Sequence, residues 1–132
     1  MATKLQATIK GGPAMATKLT RLGPLAVKAG MASLYRSGEA VMTDSKENYV
    51  PIDTGALKSS GNVQVIQGTN GGGKIALGYG GPAAPYAVYV HEMNKNYNKG
   101  KVWKYLQTPL QMHEPQIATD LANDVQAALK GL

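Results

Sequence analysis

The chain has no cysteine among its 132 residues. This excludes a disulfide scaffold, a thiolate metal site and a cysteine nucleophile, and it leaves the redox compartment undecided. The sequence also lacks an apolar run of the roughly 20 residues needed to cross a bilayer, and its N-terminus, MATKLQATIKGG, has no apolar stretch of signal-peptide length. We therefore expect a soluble protein, not classically secreted, with a single domain large enough to bury its own core.

Acidic residues are scarce, and residues 1–38 contain none. Fourteen Lys and Arg residues against eight Asp and Glu residues give a formal net charge of +6. A basic cluster lies in the stretch NKNYNKGKVWK and is formed by Lys95, Lys99, Lys101 and Lys104. This asymmetry suits a surface that meets nucleic acid or an acidic neighbouring subunit. Because the sequence has no recognisable RNA- or DNA-binding motif, solvated lysines are the favoured interpretation.

The chain is predicted to contain an arm or short strand within residues 1–13, followed by a single α+β domain over residues 14–132. Alternation of apolar and polar residues in KLQATIK ends at Gly11-Gly12-Pro13. A weak helical pattern covers residues 14–22, and a long helix is predicted over residues 25–49 with Pro24 in its first turn. Its apolar stripe contains Val27, Met31, Leu34, Gly38, Val41, Ser45 and Tyr49. Glycines 30 and 38 would destabilise this helix unless they allow close packing.

The middle of the chain has the pattern of a β-hairpin. Residues 62–67 and 74–79 alternate around the glycine-rich connection GTNGGG. The next apolar stretch, YAVYVHEM, has the composition of a strand, although its position after Pro85 also permits a helical turn. Residues 94–101 are predicted to form a polar loop.

The last helix is predicted to begin at Thr108. Thr108 as N-cap, Pro109 at the first helical position and Gln111 three residues after the cap form a capping box. The helix should run to about Lys130, and Pro115 predicts a kink or a start near that residue. Its inward residues are predicted to be Leu110, Ile117, Leu121, Val125 and Ala128. The fold class is therefore α+β, with a long N-terminal helix and a C-terminal helix packed on one face of a small antiparallel β-sheet.

The stretch VPIDTGA, residues 50–56, contains the D-T-G triplet of aspartic proteases. In that class of enzyme two copies of the triplet face each other, whereas this chain has one copy, directly after a predicted helix. We favour a structural turn formed by Pro51, Asp53, Thr54 and Gly55. Pro51 would fix the helix exit, Asp53 would accept backbone N–H bonds or cap the following ALKSS segment, and Gly55 would take a positive φ. A hydrolase that uses Asp53 remains the less favoured alternative.

Other candidate catalytic or metal sites are incomplete. The pair His91-Glu92 lacks the H-E-x-x-H spacing, because position 95 is lysine, and a polar surface pair is the favoured interpretation. The stretch GGGK, residues 71–74, is followed by Ile75 and so does not satisfy the phosphate-loop pattern. Ser45 and the pair Ser59-Ser60 have no nucleophile-elbow glycines nearby. We therefore predict no catalytic residue, no cofactor and no metal.

Five segments in order resemble the minor structural proteins that join head to tail in tailed bacteriophages, the neck or tail-completion family. They are a long amphipathic helix, VPIDTGALKSS, a hairpin ending in ALGYG, PYAVYVHE, and KVWKYLQTPL. The family has a long helix followed by P-x-D-T-G-x-L, then Y-A-x-x-V-H-E or Y-A-x-x-V-E-F-G, then an aromatic-Leu-x-x-P/A-Leu motif that opens the last helix. The match covers roughly residues 25–130, and its specificity lies in the order and spacing of the segments.

The resemblance implies a non-enzymatic virion subunit that forms a ring of six or twelve copies at the head–tail junction. Its partners would be a head-completion or portal-side protein and a tail-terminator or tail-tube protein. Genomic DNA would pass through the channel without sequence-specific contacts, and no membrane would be involved. The chain would reside in the virion neck, and in the host cytoplasm during assembly. Candidate interface or channel contacts are Lys4, Lys10, Lys95, Lys99 and Lys101; the alternative function is a basic DNA-binding module.

Overall fold

A computed structural model describes residues 4–9, 22–51, 55–68, 73–82, 84–93, 101 and 103–130 of the chain. Over these residues it confirms the predicted α+β fold, in which helices pack on a small antiparallel sheet. The elements in chain order are β1 (Lys4–Ile9), α1 (Pro24–Asp44), a π-helical turn (Ser45–Tyr49), α2 (Ala56–Ser59), β2 (Asn62–Gln67), β3 (Gly73–Gly80), α3 (Ala87–Glu92) and α4 (Gln107–Lys130).

The sheet has three strands in the order β1-β3-β2, and both outer strands run antiparallel to β3. The predicted hairpin is therefore present as β2 and β3. Of the two alternatives for the N-terminal segment, the structure has the strand, because Lys4–Ile9 pairs with β3 along its whole length. Residues 10–21, which include the weak helical pattern up to Arg21, lie outside the described residues.

The long N-terminal helix is confirmed, with Pro24 in its first turn and extended backbone at Val50 before Pro51. Its buried face contains Ala26, Gly30, Ser33, Leu34, Ser37, Gly38, Val41 and Met42. Small residues thus take a larger share of this face than predicted, and Val27 and Met31 are only half-buried. A Cβ atom at Gly38 would lie 3.1 Å from Ile75 and 3.3 Å from Leu77. Gly38 therefore allows α1 to approach β3 closely, which is the kind of packing that the sequence requires to offset the cost of a glycine inside a helix.

The C-terminal helix buries Ile117, Leu121 and Val125 as predicted, and its principal neighbour is α1. The capping-box prediction is wrong, because the helix already begins at Gln107 and the Thr108 N–H donates to the Lys104 carbonyl at 3.0 Å. Tyr105 and Leu106 are fully buried, and this anchoring starts the helical turn before Thr108.

Pro115 lies inside α4 and does not begin it, so the predicted start near residue 115 is also wrong. Proline removes the bond to the carbonyl four residues earlier, which here belongs to Gln111. Both residues are exposed, so water can hydrate that carbonyl.

The segment that composition alone left open, residues 86–93, contains the short helix α3. The Val90 N–H donates to the Tyr86 carbonyl at 3.0 Å, and Ala87 is completely buried. A small residue at position 87 allows this helical turn to pack closely into the core. The core joins β3 to α1, α3 and α4, and its largest fully buried side chains include Tyr79, Tyr105, Ile75, Leu77, Leu106 and Val41.

Candidate functional site

The most concentrated group of polar side chains lies where α1 ends. Here the helix widens into a π-helical turn, and the Val50 N–H donates to the Ser45 carbonyl at 2.8 Å, five residues back. Single π-turns are frequent at functional sites because they redirect side chains. Ser45 is fully buried, and its Oγ lies 2.5 Å from the Tyr105 carbonyl and 2.7 Å from the Tyr79 hydroxyl.

The proton positions at Ser45 follow from its hydrogen-bond partners. A serine hydroxyl has one proton to donate, and the Tyr105 carbonyl can only accept. Ser45 Oγ therefore donates to that carbonyl, and the Tyr79 hydroxyl donates to Ser45. Burial raises the pKa of Tyr79 to about 12, against the opposing effect of its bond with Ser45. Tyr79 consequently remains a neutral donor at physiological pH.

Tyr105 connects this group to α3. Its ring meets the Tyr79 ring edge to face with centroids 5.0 Å apart, and its hydroxyl donates to the Ala87 carbonyl at 2.7 Å. The His91 ring packs against Tyr105 in the same way, also at 5.0 Å. We call Ser45, Tyr79, Tyr105 and His91 the polar junction, since together they join the end of α1, β3, α3 and the start of α4.

His91 is only 3% exposed, so the predicted surface pair is wrong for this residue, whereas Glu92 is exposed. The backbone N–H of Gln107 donates to His91 Nε2 at 3.3 Å, which assigns the ring proton to Nδ1, 3.1 Å from Glu92 Oε1. Burial lowers the pKa of His91, and nearby Lys104 acts in the same direction, against the opposing influence of Glu92. A neutral imidazole with this tautomer satisfies both contacts.

Lys104 lies on the solvent side of the polar junction. Its backbone conformation is unusual. Its φ is 53°, and it is the one non-glycine among the described residues with a positive φ. Its N–H donates to the His91 carbonyl at 2.8 Å, and its Nζ donates to Glu92 Oε2 at 3.0 Å. The ammonium also lies 5.2 Å from the centre of the Trp103 ring. These contacts hold the turn that leads into α4.

The hydrogen bonds of the polar junction connect elements of the same chain. The Ser45 hydroxyl donates to a backbone carbonyl and not to a base, while Tyr79, Tyr105 and His91 are buried and engaged with groups of the same chain. No group of three or more His, Asp or Glu residues that could hold a metal ion is found within the described part of the chain. Among the helices that the structure describes, none is long and apolar enough to cross a bilayer.

A second polar contact joins α1 to α4. Asp44 Oδ2 lies 2.9 Å from His113 Nε2, and its other carboxylate oxygen accepts from Asn48 at 2.7 Å. Partial burial would raise the pKa of Asp44, but the hydrogen bonds from Asn48 and His113 and the charge of His113 outweigh it, and the net shift is downward.

An ion pair also joins α1 to α4, in which the Arg36 guanidinium lies 2.8 Å from Asp124 Oδ2. The pKa of Asp124 is lowered by the nearby Ser33 hydroxyl and by Arg36. Ser33 Oγ is buried and has no partner that meets the geometry of a hydrogen bond, so the Arg36 ion pair is the contact with this carboxylate that the geometry supports.

The turn predicted at residues 51–55 is described only at its two ends. Pro51 follows the helix end at Val50, and Gly55 has φ of 86°, which confirms the predicted positive φ. Its Cβ would meet nothing within 4 Å, so conformation and not space requires glycine. Asp53 and Thr54 lie outside the described residues.

The five candidate contact lysines are only partly described. Lys10, Lys95 and Lys99 lie outside the described residues, and Lys4 begins β1. Lys101 is half-buried, and its Nζ donates to the Glu47 carbonyl near the C-terminal end of the long helix, where a positive charge is favourable.

The sequence did not indicate the polar junction as one site. Ser45 was considered as a position on a helical stripe and as a serine without nucleophile-elbow glycines, and Tyr79 and Tyr105 appeared only within sequence motifs. The usable signal was the presence of hydroxyl-bearing residues at core positions, since a buried hydroxyl needs a partner. Comparison of the chain with protein-family models, with curated proteins and with solved structures found no match.

Proposed function

We propose that this chain is a structural, non-enzymatic virion subunit of a tailed bacteriophage, a ring-forming neck or tail-completion protein that joins the portal side of the head to the tail. The observation that carries the proposal is the convergence of its motifs. Tyr79 comes from ALGYG, His91 from PYAVYVHE and Tyr105 from KVWKYLQTPL. These three distant segments meet in the polar junction.

This convergence favours a structural role for the motifs. Their aromatic and histidine residues hold helices and sheet together, and their order and spacing follow from the fold that they stabilise. A hydrolytic site would instead keep a nucleophile and a base within reach of a substrate. The residues of the polar junction are buried and make their hydrogen bonds and ring contacts within the chain, which supports a scaffold whose function lies in its outer surfaces.

In this proposal the subunit closes a ring of six or twelve copies on the axis between head and tail. A portal-side or head-completion protein lies on one side of the ring and a tail-terminator or tail-tube protein on the other. The ring assembles in the host cytoplasm and then belongs to the virion. Genomic DNA passes through its channel, and any contacts are with phosphates, because every sequence must pass.

Some of the described basic residues are engaged within the chain, which favours a scaffold over the DNA-binding alternative. Arg36 pairs with Asp124, Lys101 donates to the Glu47 carbonyl, and Lys104 pairs with Glu92. A mobility-shift titration of the purified chain against duplex DNA at several salt concentrations tests this point. Tight binding with a steep salt slope would favour the DNA-binding module.

The deciding experiment is cryo-electron microscopy of virions that carry this chain, with the subunit fitted into the density between portal and tail. The proposal expects a single layer of identical subunits on the head–tail axis. Density for the chain spread over the capsid faces, or its absence from virions, would overturn the assignment. A hydrolytic activity abolished by Asp53→Asn while assembly remains intact would favour the enzyme instead.

A further inference from the structure

The outer side of β2 has no strand partner among the described residues. The sheet order β1-β3-β2 puts this strand at an edge, and an edge strand directs half of its backbone N–H and C=O groups away from the sheet. Residues 64–67 are exposed, with Val65 at 43% and Ile66 at 39%. Edges are usually protected by lysine, proline or a bulge, but β2 reads NVQVIQ and pairs with β3 in unbroken register.

We propose that the β2 edge, the unpaired side of Asn62–Gln67, binds strand β1 of the adjoining copy of this chain. The sheet then continues from copy to copy around the ring. This inference rests on the ring-forming function proposed above and names the surface through which the ring closes.

Strand direction favours β1 as the occupant. Both β1 and β2 run antiparallel to β3 and are therefore parallel to each other at opposite edges of one sheet. A copy related by rotation presents its β1 beside β2 in the same parallel sense, with the same face of the sheet outward. Two β2 edges would instead meet antiparallel about a two-fold axis, which closes a dimer and not a ring.

The two strands match in length and in alternation, since each has six residues. Val63 and Val65 are paired with Leu77 and Ile75 of β3, and on the other side of β3 the same two residues are paired with Ala7 and Ile9. The polar positions likewise share rows, with Asn62 and Gln6 flanking Gly78, and Gln64 and Thr8 flanking Ala76. When a neighbouring β1 pairs with β2 in the same relation, apolar positions come beside apolar ones and, apart from Ile66, polar positions beside polar ones.

Charge also favours a meeting of identical chains at this place. Each copy carries a formal charge of +6, so two copies repel each other overall. The twelve residues of β1 and β2 contain one charged side chain, Lys4. This pair of edges is therefore a place where two copies approach with little electrostatic cost.

Disulfide crosslinking tests the proposal directly, because the chain has no native cysteine. In the double variant Gln6→Cys with Gln64→Cys, the two positions of one copy lie on strands either side of β3 and two residues out of line, roughly 12 Å apart. That distance is too long for a disulfide within one copy. Mild oxidation of assembled rings or virions should therefore give a ladder of covalent oligomers that extends to the ring size. Thr8→Cys and Lys4→Cys, each with Gln64→Cys, cover the neighbouring registers.

Control variants test whether crosslinking requires two cysteines on the same face of the sheet. Ala7→Cys with Gln64→Cys puts the thiols on opposite faces and should give no ladder, and each single-cysteine variant should remain uncrosslinked. A covalent dimer from Gln64→Cys alone would show two-fold pairing of β2 edges and overturn the inference. Rings seen by microscopy but no ladder from any same-face pair would overturn the inference and leave the proposed function standing. Virions without this chain on the axis would overturn the proposed function, and the inference with it.

A substitution at the edge provides an independent measurement. Val65→Lys places a charge on an exposed residue of the β2 edge, where lysine opposes strand addition. The variant should keep the circular dichroism spectrum and thermal midpoint of the wild type but lose ring formation. Gln111→Lys adds the same charge at an exposed position of α4 and should still assemble. Normal rings from Val65→Lys would contradict the proposal.

Discussion

The polar junction and the β2 edge lie in the same small domain and differ in how their hydrogen-bonding groups are used. At the junction, the hydroxyl groups of Ser45, Tyr79 and Tyr105 are buried and have partners within the chain. At the β2 edge, the outer backbone groups have no strand partner among the described residues, and Val65 and Ile66 are exposed. The junction therefore contributes to the stability of one copy, while the outer backbone groups of the edge take no part in strand pairing among the described residues.

The largest effect is expected for Tyr79→Ala, because this fully buried ring belongs to both the core and the junction. Loss of a buried aromatic side chain costs about 3–5 kcal/mol, a large part of the stability of a small domain. Urea unfolding of the isolated chain measures the change in free energy. Tyr86→Ala is the control, since Tyr86 is 41% exposed and its loss should cost much less. Equal losses for the two variants would mean that Tyr79 is not a core residue.

Ser45→Ala should be the next most damaging change. It leaves the buried Tyr79 hydroxyl and the Tyr105 carbonyl without their partner, which costs about 1–3 kcal/mol. Adding Tyr79→Phe removes the orphaned hydroxyl, so the double variant should lose less stability than the two single variants together. A double-mutant cycle from urea unfolding measures this coupling. Additive losses would show that the 2.7 Å contact between the two hydroxyls contributes nothing.

The backbone at Lys104 allows a comparison of glycine with alanine. Both Lys104→Gly and Lys104→Ala remove the contact with Glu92, but only alanine keeps a Cβ at φ of 53°. The glycine variant should therefore be more stable than the alanine variant by about 1 kcal/mol. At Ala122, on the exposed side of α4, glycine should instead be less stable than alanine by about 1 kcal/mol. The same order at both positions would contradict the left-handed conformation of Lys104.

Acid should weaken the junction through His91. Its pKa is lowered below 6.5 in the folded chain, so the unfolded chain takes up a proton first as the pH falls. The free energy of unfolding should decrease as the pH falls through 6.5 and level off once the folded-state pKa is passed. Urea unfolding between about pH 8 and about pH 5 measures this slope, and His91→Gln should make it shallower. An unchanged slope in His91→Gln would assign the acid sensitivity to other groups.

The sequence predicted those parts of the fold in which local pattern and packing agree. Periodicity predicts the span of the long helix and the hairpin. It also predicts the inward positions Ile117, Leu121 and Val125 of the last helix. The helix α4 begins earlier than predicted, because burial of Tyr105 and Leu106 outweighs the local capping signal at Thr108. The polar junction depends on contacts between residues far apart in the chain, such as Ser45 and Tyr105, and periodicity carries no information about such pairs.

The smallest effect is expected at the β2 edge in the isolated chain. Val65→Thr exchanges a methyl group for a hydroxyl at an exposed strand position and keeps the β-branched shape, so the free energy of unfolding should change by no more than about 0.5 kcal/mol. The same exchange at Val41, which is completely buried in α1, should cost several times more, because the new hydroxyl would enter the apolar core. Urea unfolding of both variants at one pH and salt concentration gives the comparison. A loss at position 65 as large as that at position 41 would mean that the β2 edge is covered within a single copy, and the contrast between the two regions would then disappear.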